Sequence, residues 1–179
     1  SRTREKGEEF AAKYGVTKVY DNYEEMAGDP DIDAVYVASP TYMHYTHSIT
    51  MINHGKHVLC ESPITLSEAQ CKELFIIARE NHCVLMDAIK TAYATAYHRM
   101  LLLVKTGIIG NPRSIDATCT SIRSVDMSDP KAMERSWNSI SAWGPTALLP
   151  VLQIFGTDYN DERIITWMDN EEYHYDAFT

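Results

Sequence analysis

The sequence predicts an α/β fold built on a parallel sheet, and three observations carry that prediction. Apolar runs of strand length recur at AVYVA (34–38), HVLCE (57–61) and VLMDA (84–88). Each is followed by a segment of helical apolar spacing. Unbroken apolar runs belong to strands buried on both faces, as in parallel sheets. Strand–helix alternation then implies right-handed crossovers between neighbouring strands.

Residues 3–14 are mostly good helix formers, with Phe10, Ala11 and Tyr14 on one side and Gly15 as the stop. VTKVY (16–20) is a short strand candidate and YEEMAG (23–28) a short helix. After the strand at 34–38, Thr41 can cap a helix in which Tyr45, Ser48, Ile49 and Ile52 share one face, and His54-Gly55 ends it. HVLCE follows as a strand. Ser67 and Gln70 have the spacing of a capping box, ahead of a stripe of Cys71, Leu74, Phe75 and Ala78. Beyond VLMDA, the residues Tyr93, Ala96, Tyr97, Met100, Leu101 and Val104 repeat at helical spacing up to Gly107. Tyr93 and Tyr97 fit a core stripe better than a site. Past IIGNP (108–112) the style changes: SIDATCTSIRSV (114–125) alternates like a half-exposed strand, and a helix is expected near 146–155. The boundary between two domains is therefore placed at 107/108, giving 1–107 and 108–179.

Composition bounds the function. The 179 residues carry 16 Lys+Arg against 25 Asp+Glu, a net charge of −9, which argues against nucleic acid or an anionic membrane surface as partner. With 45% apolar and 23% charged residues, the chain can bury a sizeable core. No apolar run approaches a bilayer span, and SRTREKGEEF is no signal peptide. Cys60, Cys71, Cys83 and Cys119 form no CxxC pair, as expected of reduced thiols in a cytoplasmic protein. The chain starts without Met inside a charged, helix-like stretch, and reads as a piece of something longer.

In open parallel α/β sheets, ligands bind outside the carboxyl ends of the strands. The segments that follow the three apolar runs are SPTYMH (39–44), ESPI (61–64) and IKTAY (89–93). They bring Ser39, Thr41, His44, Glu61, Ser62 and Lys90 to one edge as a polar lining. That placement does not name the ligand. His44, His47, His54 and His57 invite a metal, but no carboxylate or thiol completes a set, so no metal site is assigned.

Residues 31–88 also carry a resemblance. The succession V-Y-V-A-S-P…H, G-K-H-V-L-C-E-x-P and V-L-M-x-A resembles the nucleotide-binding domain of the glucose–fructose oxidoreductase, inositol dehydrogenase and rhizopine-catabolism (Gfo/Idh/MocA) oxidoreductases. IKTAY and the later GPTALLPVLQIFG resemble a bacterial-type subgroup, so the likeness extends over nearly the whole chain. It implies a Rossmann domain followed by an α/β domain with a large open sheet. It also implies NADP or NAD as cofactor, a sugar- or cyclitol-like substrate and, at full length, a homo-oligomer. Carried over by position, the cofactor-binding residues are Ser39, Pro40, Thr41, His44, Glu61 and Pro63. His44 would lie near the nicotinamide; otherwise it is a helix-surface histidine. Arg2 would tolerate a 2′-phosphate and favour NADP; otherwise it is a solvated residue at a helix start.

Four departures from the family pattern bear on chemistry. The glycine-rich turn G-x-G-x-x-G would lie upstream of Ser1. In the order 3-2-1-4-5-6 the chain holds candidates for strands 3 to 6 only, so the Rossmann sheet is incomplete, with its first two strands missing. Alone, such a piece is expected to fold poorly and bind dinucleotide weakly. The lysine of the family's E-K-P is Ser62 here, and a serine hydroxyl does no acid–base work near neutral pH. The family's His or Tyr falls at Thr146 and its acidic residue at Pro150. Catalytic candidates are then Ser62 and Lys90. Lys90 is a substitute base, if burial lowers its pKa, or a substrate clamp; otherwise it extends to solvent. Trp137 and Trp143 lie outside the motif, in a substrate-side loop or in core packing. The expected function is hydride transfer between NAD(P) and a CH–OH or C=O group. The alternatives are a non-catalytic dinucleotide-binding homologue, acting as sensor or partner subunit, and a generic binding module.

Overall fold

A computed structural model describes residues 3–119, 139–169 and 173–178. Arg2, Trp137 and the part of the strand candidate beyond residue 119 lie outside the described residues. The chain divides into two compact units, Ser1–Asp87 and Ala88–Thr179.

The first unit runs α1 (Arg4–Tyr14), α2 (Tyr23–Gly28), β1 (Ala34–Val37), a 3₁₀ turn (Thr41–Met43), α3 (His44–Asn53), β2 (His57–Cys60), α4 (Glu68–Glu80) and β3 (Leu85–Asp87). Its three strands are parallel in the order β1-β2-β3. Each strand is joined to the next through a helix, which is the parallel α/β arrangement predicted from the apolar runs and the Rossmann-type one implied by the resemblance. Ala34 lies opposite His57, and Val58 opposite Leu85. The core gathers Val37, Val58, Cys60 and Leu85 of the sheet against Met51 and Ile52 of α3 and Leu74 and Ala78 of α4. Removing these side chains from water is the main force holding the unit together.

Burial of the strands is one-sided. Tyr36, Leu59 and Met86 stand in register across the three strands and remain 54%, 39% and 40% exposed. The expectation of strands buried on both faces is therefore not met. Alternate side chains of a strand point to opposite faces, and the core cluster formed with α3 and α4 takes only the set containing Val37, Val58, Cys60 and Leu85.

VTKVY is not a strand; residues 16–20 are irregular. A strand needs a neighbour for its backbone groups, and these residues are instead held by side chains. Lys18 Nζ donates to Asp29 at 2.8 Å and to Asp31 at 2.6 Å, and the Tyr20 hydroxyl donates to Asp29. Asp29 Oδ1 also accepts the Asp31 backbone N–H at 2.8 Å. These donors, Lys18 foremost, hold the Asp29 carboxyl well below the usual carboxylate range.

Two expected caps are absent. Thr41 belongs to the 3₁₀ turn, and α3 starts at His44 without a side-chain cap. Ser67 occupies the N-cap of α4, but its side chain makes no cap bond, so the capping box does not form. By contrast, Asn22 caps α2 by accepting the Glu24 N–H at 2.8 Å. Gly15 ends α1 at φ +69°, a left-handed conformation that favours glycine.

The second unit contains α5 (Lys90–Tyr93), α6 (Thr95–Lys105), α7 (Ser139–Phe155) and an antiparallel pair, β4 (Ile164–Asp169) and β5 (Tyr173–Phe178). The single helix expected here is broken at Ala94, whose backbone is extended. Tyr93 is 52% exposed and so does not belong to a core stripe. The hydroxyl of Tyr97 donates to Gln153 Oε1 at 2.6 Å, joining α6 to α7. Residues 114–119 are irregular, not strand. The four cysteines are free thiols. Burial pushes the Cys60 thiol up to about 11, so it is no nucleophile near neutral pH.

Candidate functional site at the carboxyl edge of the sheet

The first unit brings two loops together at the carboxyl edge of its sheet and ties them at several points. Glu61 N–H donates to the Val37 carbonyl at 2.9 Å, extending the β1–β2 ladder past the end of both strands. Ile64 N–H donates to Asp87 Oδ2 at 3.2 Å, which fastens the segment after β2 to the end of β3. The Ser62–Pro63 peptide between these two anchors is cis.

His44, the first residue of α3, is only 2% exposed. Its Nδ1 lies 2.8 Å from the Pro63 carbonyl oxygen and its Nε2 2.8 Å from the Ser39 carbonyl oxygen. One turn on, His47 Nδ1 lies 2.9 Å from Ser39 Oγ, and its ring packs on Tyr23 at 4.0 Å between centroids. Burial, and then the neighbouring His44, push the His47 imidazole below its ordinary value. Both polar groups of Ser39 therefore face α3. Pro40 shapes the turn, its carbonyl accepting the Met43 N–H at 2.8 Å.

Beside this clamp sits the Glu61 carboxylate. It accepts the Tyr36 hydroxyl and, at 3.4 Å, the Ser62 N–H. The carboxylate raises the Tyr36 hydroxyl above its ordinary value, keeping it a donor. The Ser62 hydroxyl is buried and has no hydrogen-bond partner among the described residues. A buried polar atom left unpaired is costly.

Ser39, His44 and Pro63 are thus joined by direct hydrogen bonds, with Glu61 and Ser62 next to them in the same loop. Thr41 lies in the turn between Ser39 and His44. Lys90 opens α5 in the second unit and is exposed, so the burial invoked for a substitute base is not met. Thr146 and Pro150 lie in α7. The sequence reading missed Tyr36 and Asp87, and weighed His47 only as a metal ligand. For His47 a signal existed, since it stands one helical turn from His44; Asp87 ends a strand, where ligand-side residues gather. Among the described residues, no three His, Cys, Asp or Glu side chains are grouped to hold a metal ion. Nor is any helix among them long and apolar enough to cross a membrane.

A carboxylate with free lone pairs suits the hydroxyls of a ribose. The segments 39–44 and 61–64 contain no lysine or arginine, so they offer no cation for phosphate. The donor set therefore fits the sugar portion of a nucleotide cofactor. Residues 1–88 match the model of the Gfo/Idh/MocA group, described as an oxidoreductase family with an NAD-binding Rossmann fold. Residues 1–88 belong to the Gfo/Idh/MocA oxidoreductase family. Among its curated relatives is scyllo-inositol 2-dehydrogenase (NADP(+)) IolU of Bacillus subtilis, 41% identical over 93 residues, which are 52% of this chain and 28% of that protein. Another is 1,5-anhydro-D-fructose reductase of Ensifer adhaerens, 36% identical over 112 residues, covering 63% of this chain and 34% of that enzyme. The matches thus span about a third of the length of these relatives. The crystal structure of a probable dehydrogenase from Thermotoga maritima shares the fold, with a TM-score of 0.76 at 23% identity over 96% of this chain and 52% of that one.

Proposed function

We propose that the full-length protein is an NAD(P)-dependent oxidoreductase acting on a CH–OH or C=O group of a sugar or cyclitol. The observation that carries the reading is the Glu61 carboxylate at the carboxyl edge of the sheet, held by the Tyr36 hydroxyl and the Ser62 N–H. When bound, the nicotinamide ring supplies or accepts the hydride. The chain's own task is to hold the sugar portion of the nucleotide and to orient the reacting carbon. Glu61, steadied by Tyr36, accepts hydrogen bonds from ribose hydroxyls, and Ser62 stands beside it at the position the resemblance makes catalytic. Pro40, Thr41 and Pro63 form the walls. Lys90, exposed and charged, serves as a substrate clamp, and Arg2 favours NADP. Names among the relatives support the substrate class: one acts on scyllo-inositol, another on 1,5-anhydro-D-fructose.

A second reading, a dinucleotide-binding homologue without catalysis, is favoured by the residues at three positions. Ser62, Thr146 and Pro150 offer no group that exchanges a proton near neutral pH. Fluorescence titration of the full-length protein with NADH and NADPH tests the shared claim. Glu61→Ala should weaken binding by about 10- to 100-fold, the worth of charge-assisted hydrogen bonds. Equal affinity in the variant would remove Glu61 from the site. Turnover on inositols and keto-sugars separates the two readings.

A further inference from the structure

His44 has a geometry that the cofactor site alone does not require. The ring is buried, and each of its nitrogens meets a backbone carbonyl oxygen at 2.8 Å. Carbonyl oxygens only accept, so the ring must supply every proton in these two bonds. An imidazole with one N–H donates to one of the two carbonyls at a time, and the tautomer decides which; both carbonyls nonetheless lie against the ring at 2.8 Å. No ring nitrogen remains for a ligand.

We infer that His44 is a positioning residue, which fixes the spacing between the loops after β1 and β2 by holding the Ser39 and Pro63 carbonyls, and through them sets the nicotinamide end of the nucleotide site. The inference rests on the function proposed above. Its physical basis is the small tolerance of such sites, where a displacement of about 1 Å costs about 100-fold in rate. The segment 61–64 is tied to β1 through Glu61 N–H and to β3 through Ile64 N–H. Between those anchors, the His44 bond to the Pro63 carbonyl adds a third tie, next to Ser62. The loop after β1 has a second hold of its own, from His47 on Ser39 Oγ. His44 is the side chain that joins the two loops to each other.

The test compares two probes on the full-length protein: NADPH or NADH, and ADP or adenosine 2′,5′-bisphosphate, which lack the nicotinamide half. His44→Phe fills the buried space without a donor, and His44→Asn keeps a neutral donor for one carbonyl. His44→Phe should weaken nicotinamide nucleotide binding by about tenfold and His44→Asn by about threefold, the worth of one or two hydrogen bonds. Affinity for the adenosine probe should change by less than about twofold in both. Loss of both probes in parallel would reduce His44 to general support of the fold, and unchanged nicotinamide binding would also overturn the inference. If His44→Phe fails to fold, His44→Asn decides by the same criteria. Wild-type protein that binds neither probe removes the nucleotide reading as well, whereas wild type that binds both, with His44→Phe unchanged, removes this inference alone.

Discussion

Ser62→Lys in the full-length protein is expected to raise NAD(P)-dependent turnover by about 10²- to 10⁴-fold, the range of a positioned acid–base group. The expectation follows from what stands at the end of β2. By the resemblance, Glu61, Ser62 and Pro63 would fall on the family's E-K-P motif, whose lysine is the residue able to exchange a proton. The surrounding loop is already held: Glu61 bonds to β1, Ile64 to β3 and Pro63 to His44. The measurement is kcat over a panel of inositols and keto-sugars, with nucleotide affinity and thermal melting followed in parallel. Unchanged turnover in a variant that folds and binds nucleotide would place proton handling elsewhere, with Lys90→Ala as the next substitution.

The second large effect is on stability. Ile52→Ala is expected to cost about 2–5 kcal/mol, the range for truncating a fully buried aliphatic side chain. Ile52 has no exposed surface and lies in α3, within the cluster formed with the sheet and α4. α3 also carries His44 and His47, so loosening it would disturb the clamp as well as the core. Urea denaturation of the full-length protein should show a lower midpoint with the same slope. A loss below about 1 kcal/mol would mean that the cavity collapses and that α3 is held chiefly by other contacts.

Much of the architecture was legible because it rests on short-range patterns. AVYVA, HVLCE and VLMDA became β1, β2 and β3, since apolar runs of that length have few alternatives between helices. α2 appeared at the expected residues, with Asn22 capping it. VTKVY failed because a strand is a property of a pair, and nothing within its own residues supplies the partner. Thr41 and Ser67 failed as caps for a related reason. A capable side chain is visible in sequence, but the backbone geometry that lets it reach an N–H is not. The one-sided burial of Tyr36, Leu59 and Met86 likewise depends on which set of side chains the helices cover.

The site was legible to the same depth. That Ser39, His44, Glu61, Ser62 and Pro63 share one edge followed from strand ends. That His44 is held by two carbonyls did not, because a backbone oxygen leaves no mark on the residue type that carries it. Tyr36 and Asp87 were missed because their roles depend on register: Tyr36 reaches Glu61 from the neighbouring strand, and Asp87 reaches Ile64 across the sheet edge. For Lys90 the sequence left base, clamp and extension to solvent open, and its exposure removes the burial that the base reading needs.

The most direct test of oxidoreductase function is isotope transfer by the full-length wild-type protein. NADPH and NADH, each deuterated at the transferring carbon of the nicotinamide ring, are incubated with the protein and a panel of keto-inositols and keto-sugars, and the alcohols formed are analysed by mass spectrometry. The expected product carries a single deuterium on the new carbinol carbon and forms in lower yield with Glu61→Ala. Firm binding of both nucleotides, with no deuterium reaching any product, would contradict oxidoreductase function.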